Sequence, residues 1–273
     1  MSTHSSVAGP VTVTDLAAMK HRGQRFVMLT AYDALTAEML DEAGVPVILV
    51  GDSLGMVVLG YDSTVPVTID DILHHTRAVR RGVRRALVVA DMPFMSYQAS
   101  VAEGLRAAGR FMQEGGAHAV KVEGGAAVVD LVARATTAGI PVMGHLGLTP
   151  QSVNQFGGFR VQGRDEDAAA RIVADARALA EAGAFAVVLE CVPAEVGRRV
   201  TQEVAIPTIG IGAGPSTDAQ VLVIDDLLGR TAGRLPRFVK AYADTRSTVH
   251  DAVKAFQAEV EGGDYPGPEH TYE

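Results

Sequence analysis

The chain has no tryptophan, one cysteine and few aromatic residues, only 5% of its 273 positions. A single cysteine, Cys191, cannot form an internal disulfide, which suits a reducing, cytoplasmic setting. No apolar run is long enough to span a bilayer, and residues 1–10 lack the apolar segment of a signal peptide. Basic residues are outnumbered, 24 Lys and Arg against 32 Asp and Glu, which speaks against a nucleic-acid surface. An anionic substrate stays open, because a bound cation can invert the local electrostatics. With so few aromatics the core must be built from Val, Ile, Leu and Ala, and a hydrophobic content of 48% suffices for a sizeable one. No linker or low-complexity segment divides the chain. One domain is expected over 1–273, with a loose tail at about 1–13 and a polar C-terminal tail.

What is present is a recurring unit. Residues 45–50, Val-Pro-Val-Ile-Leu-Val, are apolar without alternation, the pattern of a parallel strand covered on both faces. The run stops abruptly at Gly51, Asp52 and Ser53. Similar runs are read at 26–33, 86–93, 117–124, 140–147, 185–190, 206–212 and 220–224. Helical patterns separate them, among them 34–43 with Leu35, Met39 and Leu40 on one side, and a final helix is read over 237–260. A first short helix is read over 14–20 with Thr14 as its cap. Glu42-Ala-Gly-Val-Pro46, Glu114-Gly-Gly-Ala-His118, Thr137-Ala-Gly-Ile-Pro141 and Glu181-Ala-Gly-Ala-Phe185 each end a helix at glycine and enter a strand. Eight such units predict an α/β fold, a (β/α)₈ TIM barrel. A doubly wound sheet is the alternative, since the connection before the eighth strand is short for a barrel helix.

In a barrel the active site lies at the carboxyl ends of the strands. Those ends carry Asp33, Asp52 with Ser53, Asp91, Lys121 with Glu123, His145 and Glu190, so six of the eight strands end in an ionisable residue. One isolated acid there is most simply a helix cap; the alignment of so many points to a site. Asp52, Asp91 and Glu123 offer the hard oxygens that Mg²⁺ prefers. Lys121 and Glu123, two apart, share a strand face. Lys121 could neutralise a substrate carboxylate, stabilise an enolate, form a Schiff base or simply pair with Glu123. Glu190, after Val187-Val-Leu189, is placed to act as a general base, though it could be an ordinary strand-end acid. His145 could hydrogen-bond a substrate oxygen or be a satisfied core histidine. His74 and His75 are assigned an exposed or packing role, and Cys191 a buried inert thiol. Gly210-Ile-Gly-Ala-Gly214 lacks dinucleotide-fingerprint spacing and reads as a tight turn or a close backbone approach.

Longer stretches narrow the choice. Val50-Gly-Asp-Ser-Leu-Gly-Met56, Val89-Ala-Asp-Met-Pro93, Val120-Lys-Val-Glu-Gly-Gly125, Gly144-His-Leu-Gly-Leu-Thr-Pro-Gln-Ser-Val-Asn154, Gly157-Gly-Phe-Arg-Val-Gln-Gly163 and Ile209-Gly-Ile-Gly-Ala-Gly214 resemble the ketopantoate hydroxymethyltransferase family. The resemblance runs from about Thr14 to Tyr272. It implies a barrel of the phosphoenolpyruvate mutase/isocitrate lyase type, usually a homodecamer. It implies transfer of a hydroxymethyl group from 5,10-methylenetetrahydrofolate to 3-methyl-2-oxobutanoate, giving 2-dehydropantoate on the way to pantothenate, through a Mg²⁺-stabilised enolate with one Mg²⁺ per subunit. Carried over by motif, Asp52 and Asp91 are implied as Mg²⁺ ligands, with Glu123 reaching the metal directly or through water. Asp52, Ser53, Asp91, Lys121 and His145 are implied as substrate contacts, and Glu190 as the proton acceptor. A lyase or mutase of the same superfamily acting on another 2-oxo acid is the alternative function, and a Schiff-base aldolase using Lys121 is a further one.

Overall fold

A computed structural model of the chain describes residues 9–233 and 235–272. Eight parallel strands form a closed barrel in sequence order: β1 (Phe26–Thr30), β2 (Val47–Val50), β3 (Leu87–Asp91), β4 (Ala119–Glu123), β5 (Val142–Gly147), β6 (Ala186–Glu190), β7 (Thr208–Ile211) and β8 (Ala219–Leu222). β8 pairs with β1, Met28 opposite Val221, so the sheet has no edge and the doubly wound alternative falls away. The connection between β7 and β8 contains no helix and turns at Gly212 and Gly214, both at positive φ. The Gly210–Gly214 stretch is thus a tight turn.

The helices of the barrel unit are α1 (Val13–His21), α2 (Ala34–Glu42), α3 (Leu54–Val57), α4 (Ile69–Gly82), α5 (Val101–Gln113), α6 (Val129–Thr137), α7 (Val153–Phe156), α8 (Glu166–Glu181) and α9 (Ala194–Glu203). Side chains alternate across each strand. One set, including Met28, Leu49, Val89, Ala119, Met143, Val188 and Ile209, fills the interior. α1 joins that cluster through Leu16 and Met19. It is held there by Lys20, whose Nζ donates to Asp218 Oδ2 (2.9 Å) and to the Thr201 carbonyl (3.1 Å). By the same two-residue period, Asp91, Lys121, Glu123, His145 and Glu190 stand on the inner face, above the apolar layer.

Several sequence expectations are corrected. The cap of α1 is Thr12, not Thr14: Thr12 and Asp15 form a capping box, each holding the other's main-chain N–H. The tail is shorter than 13 residues, because Val11 is buried and its N–H donates to the Arg85 carbonyl; residues 1–8 lie outside the described residues. In α2, Leu35 and Met39 are exposed, and the buried face is Thr36, Ala37 and Leu40. The reason is close approach of α4, where a Cβ on Gly82 would collide with the Ala34 carbonyl. Small residues, not the largest ones, therefore face the partner helix. Asp33, read as a strand-end acid of the site, instead caps α2 by accepting from Thr36 N (2.8 Å).

The described residues form two compact units, divided between Val223 and Ile224. The second contains α10 (Ile224–Leu227) and α11 (Thr245–Gly262). The final helix begins at Thr245, not at 237, because Asp244 caps it through Ser247 N. Within this unit Phe256, Tyr265 and His270 stack in sequence, folding the last residues back along α11.

Candidate active site

The site is assembled from five consecutive strand ends. β2 ends at Val50; Gly51 then allows a turn in which a Cβ would stand 2.8 Å from Ser53 Oγ. Asp52 is buried, and its main-chain N–H donates to Asp91 Oδ2 (3.0 Å). Asp91 Oδ1 forms an ion pair with Lys121 Nζ at 2.6 Å, and Glu123 Oε1 lies 3.9 Å from the same Nζ. His145 sits between two acids, Nδ1 3.4 Å from Glu123 Oε1 and Nε2 3.2 Å from Glu190 Oε2. The structure thus brings together Asp52, Asp91, Lys121, Glu123, His145 and Glu190. Ser53 stands beside them, its hydroxyl 2.9 Å from Tyr32 Oη. His74 and His75 stay outside; His75 Nδ1 bonds the Tyr32 carbonyl in a packing role.

Three residues that sequence reading missed complete the constellation. Tyr32 orients Ser53. Tyr97 Oη accepts from the Glu123 main-chain N–H (3.0 Å) and donates to Gln151 Oε1 (2.9 Å). Gln151, in a short 3₁₀ turn after β5, donates from its main chain to Glu123 Oε2 and from its side chain to Asp52 Oδ2. All three lie in loops, where no periodicity marks a residue; the only signal was the length of the loop that carries Gln151.

Charge explains the protonation states. Burial, then the charges of Asp91 and Glu123, hold the Asp52 carboxyl well above the usual carboxylate range, and Asp91 is raised mainly by burial. Glu123 is also buried, but His145, Lys121 and the Gln151 N–H outweigh burial and its pKa is lowered. Burial opposes the Lys121 charge, yet Asp91, Glu123 and Asp52 more than offset it, so Lys121 stays a cation. A lysine held protonated in this way is a poor Schiff-base nucleophile. Burial and Lys121 press the His145 pKa down, Glu123 and Glu190 press it up, and the balance is raised to about 9. Lys121 Nζ also stands 3.0 Å from His145 Nδ1, which accepts only when bare. Cys191, at φ +48° just beyond Glu190, is half-buried rather than buried as expected, and burial and Glu190 push its thiol up to about 12, away from the reactive thiolate.

These residues lie within a match to the model of the ketopantoate hydroxymethyltransferase family that spans residues 10–268. The chain belongs to the ketopantoate hydroxymethyltransferase family. It is 57% identical over 272 residues to the 3-methyl-2-oxobutanoate hydroxymethyltransferase of Syntrophus aciditrophicus, covering 100% of both chains. It is 59% identical to that of Thermobifida fusca, covering 96% of this chain and 93% of the relative. Among solved structures, 2,3-dimethylmalate lyase, a member of the PEP mutase/isocitrate lyase superfamily, superposes with a TM-score of 0.58 at 17% identity, covering 94% of this chain and 92% of that one. Phosphoenolpyruvate phosphomutase from Streptomyces platensis gives 0.60 at 15% identity, with 94% and 92% covered. The fold is therefore a (β/α)₈ barrel shared with these structures, and the family gives the activity class of a hydroxymethyltransferase.

The inner site invites a cation. Four carboxylates face two basic groups. Neither buried oxygen Glu123 Oε1 nor Asp91 Oδ1 makes a hydrogen bond beyond its ion pairs, Glu123 Oε1 with His145 and Lys121 and Asp91 Oδ1 with Lys121. Among the described residues no group of three or more His, Cys, Asp or Glu side chains is placed to hold a metal ion between them. Few protein oxygens with room for water or substrate oxygens is the donor set Mg²⁺ takes. A pH dependence follows. Asp52 and His145 both have raised pKa values in the folded state, so the stability each contributes is present below its unfolded pKa and lost as pH rises through the folded one. In EDTA, Tm is expected to fall between pH 6.5 and about 9, the window set by His145. Differential scanning fluorimetry across that range checks this, and a Tm that climbs with pH would contradict it.

Proposed function

We propose that the chain transfers a hydroxymethyl group from 5,10-methylenetetrahydrofolate to 3-methyl-2-oxobutanoate, giving 2-dehydropantoate, as a Mg²⁺-dependent enzyme with Glu190 as its base. The observation that carries this reading is the division of labour among the four carboxylates. The Glu190 side chain is 16% exposed, whereas those of Asp91 and Glu123 are 3% exposed. The buried acids suit a cation, and the accessible one suits a proton acceptor that must meet substrate. Asp52 and Asp91 would hold Mg²⁺, with Glu123 beside them. Mg²⁺, when bound, supplies Lewis acidity that makes the C3–H of a 2-oxo acid easier to remove.

The chain's own groups do the rest. Glu190 takes the C3 proton onto its carboxylate. Lys121, kept cationic by Asp91, offers positive charge to the substrate's carboxylate or its developing enolate oxygen. The Ser53 hydroxyl, set by Tyr32, and the His145 ring add hydrogen bonds to substrate oxygens. The new C–C bond forms between C3 and the folate's one-carbon unit, water supplies the hydroxyl oxygen, and tetrahydrofolate leaves. Substrate C3 is tertiary, so the base must be placed closely. Gly147 serves that end: its φ is +89°, and a Cβ there would collide with the Glu190 carbonyl.

The proposal extends to setting and assembly. Among the described residues no helix is long and apolar enough to cross a membrane. A cytoplasmic location accords with the single cysteine. A homo-oligomer, by family resemblance a decamer, accords with large apolar side chains left exposed on the barrel unit, Leu35 at 72% and Met39 at 55%.

The test is deuterium exchange at C3 of 3-methyl-2-oxobutanoate, followed by NMR with Mg²⁺, with EDTA and with Asp52→Ala. Exchange that requires both Mg²⁺ and Asp52 is expected. Addition of methylenetetrahydrofolate should then yield 2-dehydropantoate. Exchange undiminished by EDTA would defeat the metal assignment, and exchange without product would defeat the folate assignment.

A further inference from the structure

The Gln151 side chain is buried and meets all four of its hydrogen-bonding demands. Its Nε2 donates to Asp52 Oδ2 (2.9 Å) and to the Met92 carbonyl (2.9 Å). Its Oε1 accepts from Tyr97 Oη (2.9 Å) and Gln98 Nε2 (3.1 Å). The amide cannot be turned over, because a main-chain carbonyl such as that of Met92 accepts only. A fifth bond comes from the main chain, whose N–H donates to Glu123 Oε2 (3.0 Å). One residue therefore grips one oxygen of Asp52 and one of Glu123, acids 71 positions apart in the chain. In Glu123 the oxygen it does not grip, Oε1, is buried with no hydrogen bond, only the longer ion-pair contacts with His145 Nδ1 (3.4 Å) and Lys121 Nζ (3.9 Å).

We infer that Gln151 is the positioning residue of the cation site: it occupies one oxygen of each flanking carboxylate and so turns the other toward the metal. The inference rests on the divalent-cation reading above. A carboxylate that rotates freely about its terminal bond offers a metal either oxygen and loses that freedom on binding. A carboxylate already tied at one oxygen by a fixed donor offers the other in a set direction, as outer-shell donors do for metal ligands in general. Tyr97 is the second layer. It holds Gln151 Oε1 and, through the Glu123 N–H, the main chain at the end of β4.

Mn²⁺ alone is the probe, titrated against the full chain and read by the electron paramagnetic resonance of the free ion. Wild type is expected to bind one Mn²⁺ per chain. Gln151→Met keeps the length and apolar volume and removes both side-chain donors; it should weaken Mn²⁺ about 10–100-fold, the usual effect of losing an outer-shell partner. Tyr97→Phe, which removes only the hydroxyl, should weaken it several-fold and serves if Gln151→Met does not fold. A merely structural role would lower the metal-free Tm and leave the Mn²⁺ dissociation constant where it was. An unchanged constant in folded variants therefore overturns the inference while the cation reading stands. No Mn²⁺ binding by wild type overturns the cation reading, and the inference with it.

Discussion

Glu190→Gln is expected to slow C3 deuterium exchange of 3-methyl-2-oxobutanoate by roughly 10²–10⁴-fold, the usual cost of losing a placed general base. Substrate binding should change only a few-fold. The amide has nearly the same shape as the carboxylate, and the surroundings of Glu190 are set by other groups. Its main-chain carbonyl accepts from Leu148 N (2.8 Å), and the next residue donates to the Ile211 carbonyl (2.9 Å), so the backbone is pinned on both sides. Cys191 takes a positive φ to leave the strand, which makes the direction of the preceding side chain a fixed property of the turn. An amide at this place still reaches His145 Nε2 as an acceptor through its oxygen, but it cannot take a proton from carbon. The exchange assay isolates that step, because it needs no folate. Near wild-type exchange in Glu190→Gln would remove Glu190 as the base and turn attention to His145, the next titratable group along the same face.

Which parts of this machine could be read from the residues follows from what a sequence encodes locally. The barrel was legible because each unit carries its own signals: an uninterrupted apolar run, then a glycine that stops the preceding helix. The strand-end residues were legible for the same reason, since a two-residue period carries Val89 to Asp91 and Ala119 to Lys121 and Glu123 on one face. Gln151 and Tyr97 were not. Their roles arise from contacts with residues 26 to 99 positions away, and nothing in their own neighbourhood marks them. The orientation of α2 failed on a different ground. Hydrophobicity placed Leu35 and Met39 inward, but helix approach is governed by what is small enough to allow contact, and Ala37 and Gly82 are. The misplaced cap at Thr14 shows competition between neighbours: both Thr12 and Thr14 can cap, and Asp15, three residues on, selects Thr12.

Lys121→Met is expected to be the most destabilising change in the site, and to be so in a pH-dependent way. The Lys121 and Asp91 side chains are 4% and 3% exposed, and their ion pair is short at 2.6 Å. Removing one partner of a buried pair leaves the other charge unmatched, at a cost of about 3–5 kcal/mol. Methionine fills the space of the lysine stem, so a cavity contributes little. The carboxylates can escape part of the cost by taking up protons. Asp52 and Asp91 already have raised folded-state pKa values, and loss of the Lys121 charge, which lowers both, raises them further. Raised folded pKa values stabilise below the unfolded value and cease to do so as pH rises through the folded one. The deficit relative to wild type should therefore be smaller near pH 5 than near pH 8, as read by urea unfolding at the two pH values. Excess Mg²⁺ should recover part of it at pH 8, since a divalent cation among the same acids replaces the missing charge. An equal deficit at both pH values, unmoved by Mg²⁺, would mean that Lys121 acts through packing alone, and that the negative charge gathered at the end of the barrel is balanced by something other than this lysine and a metal.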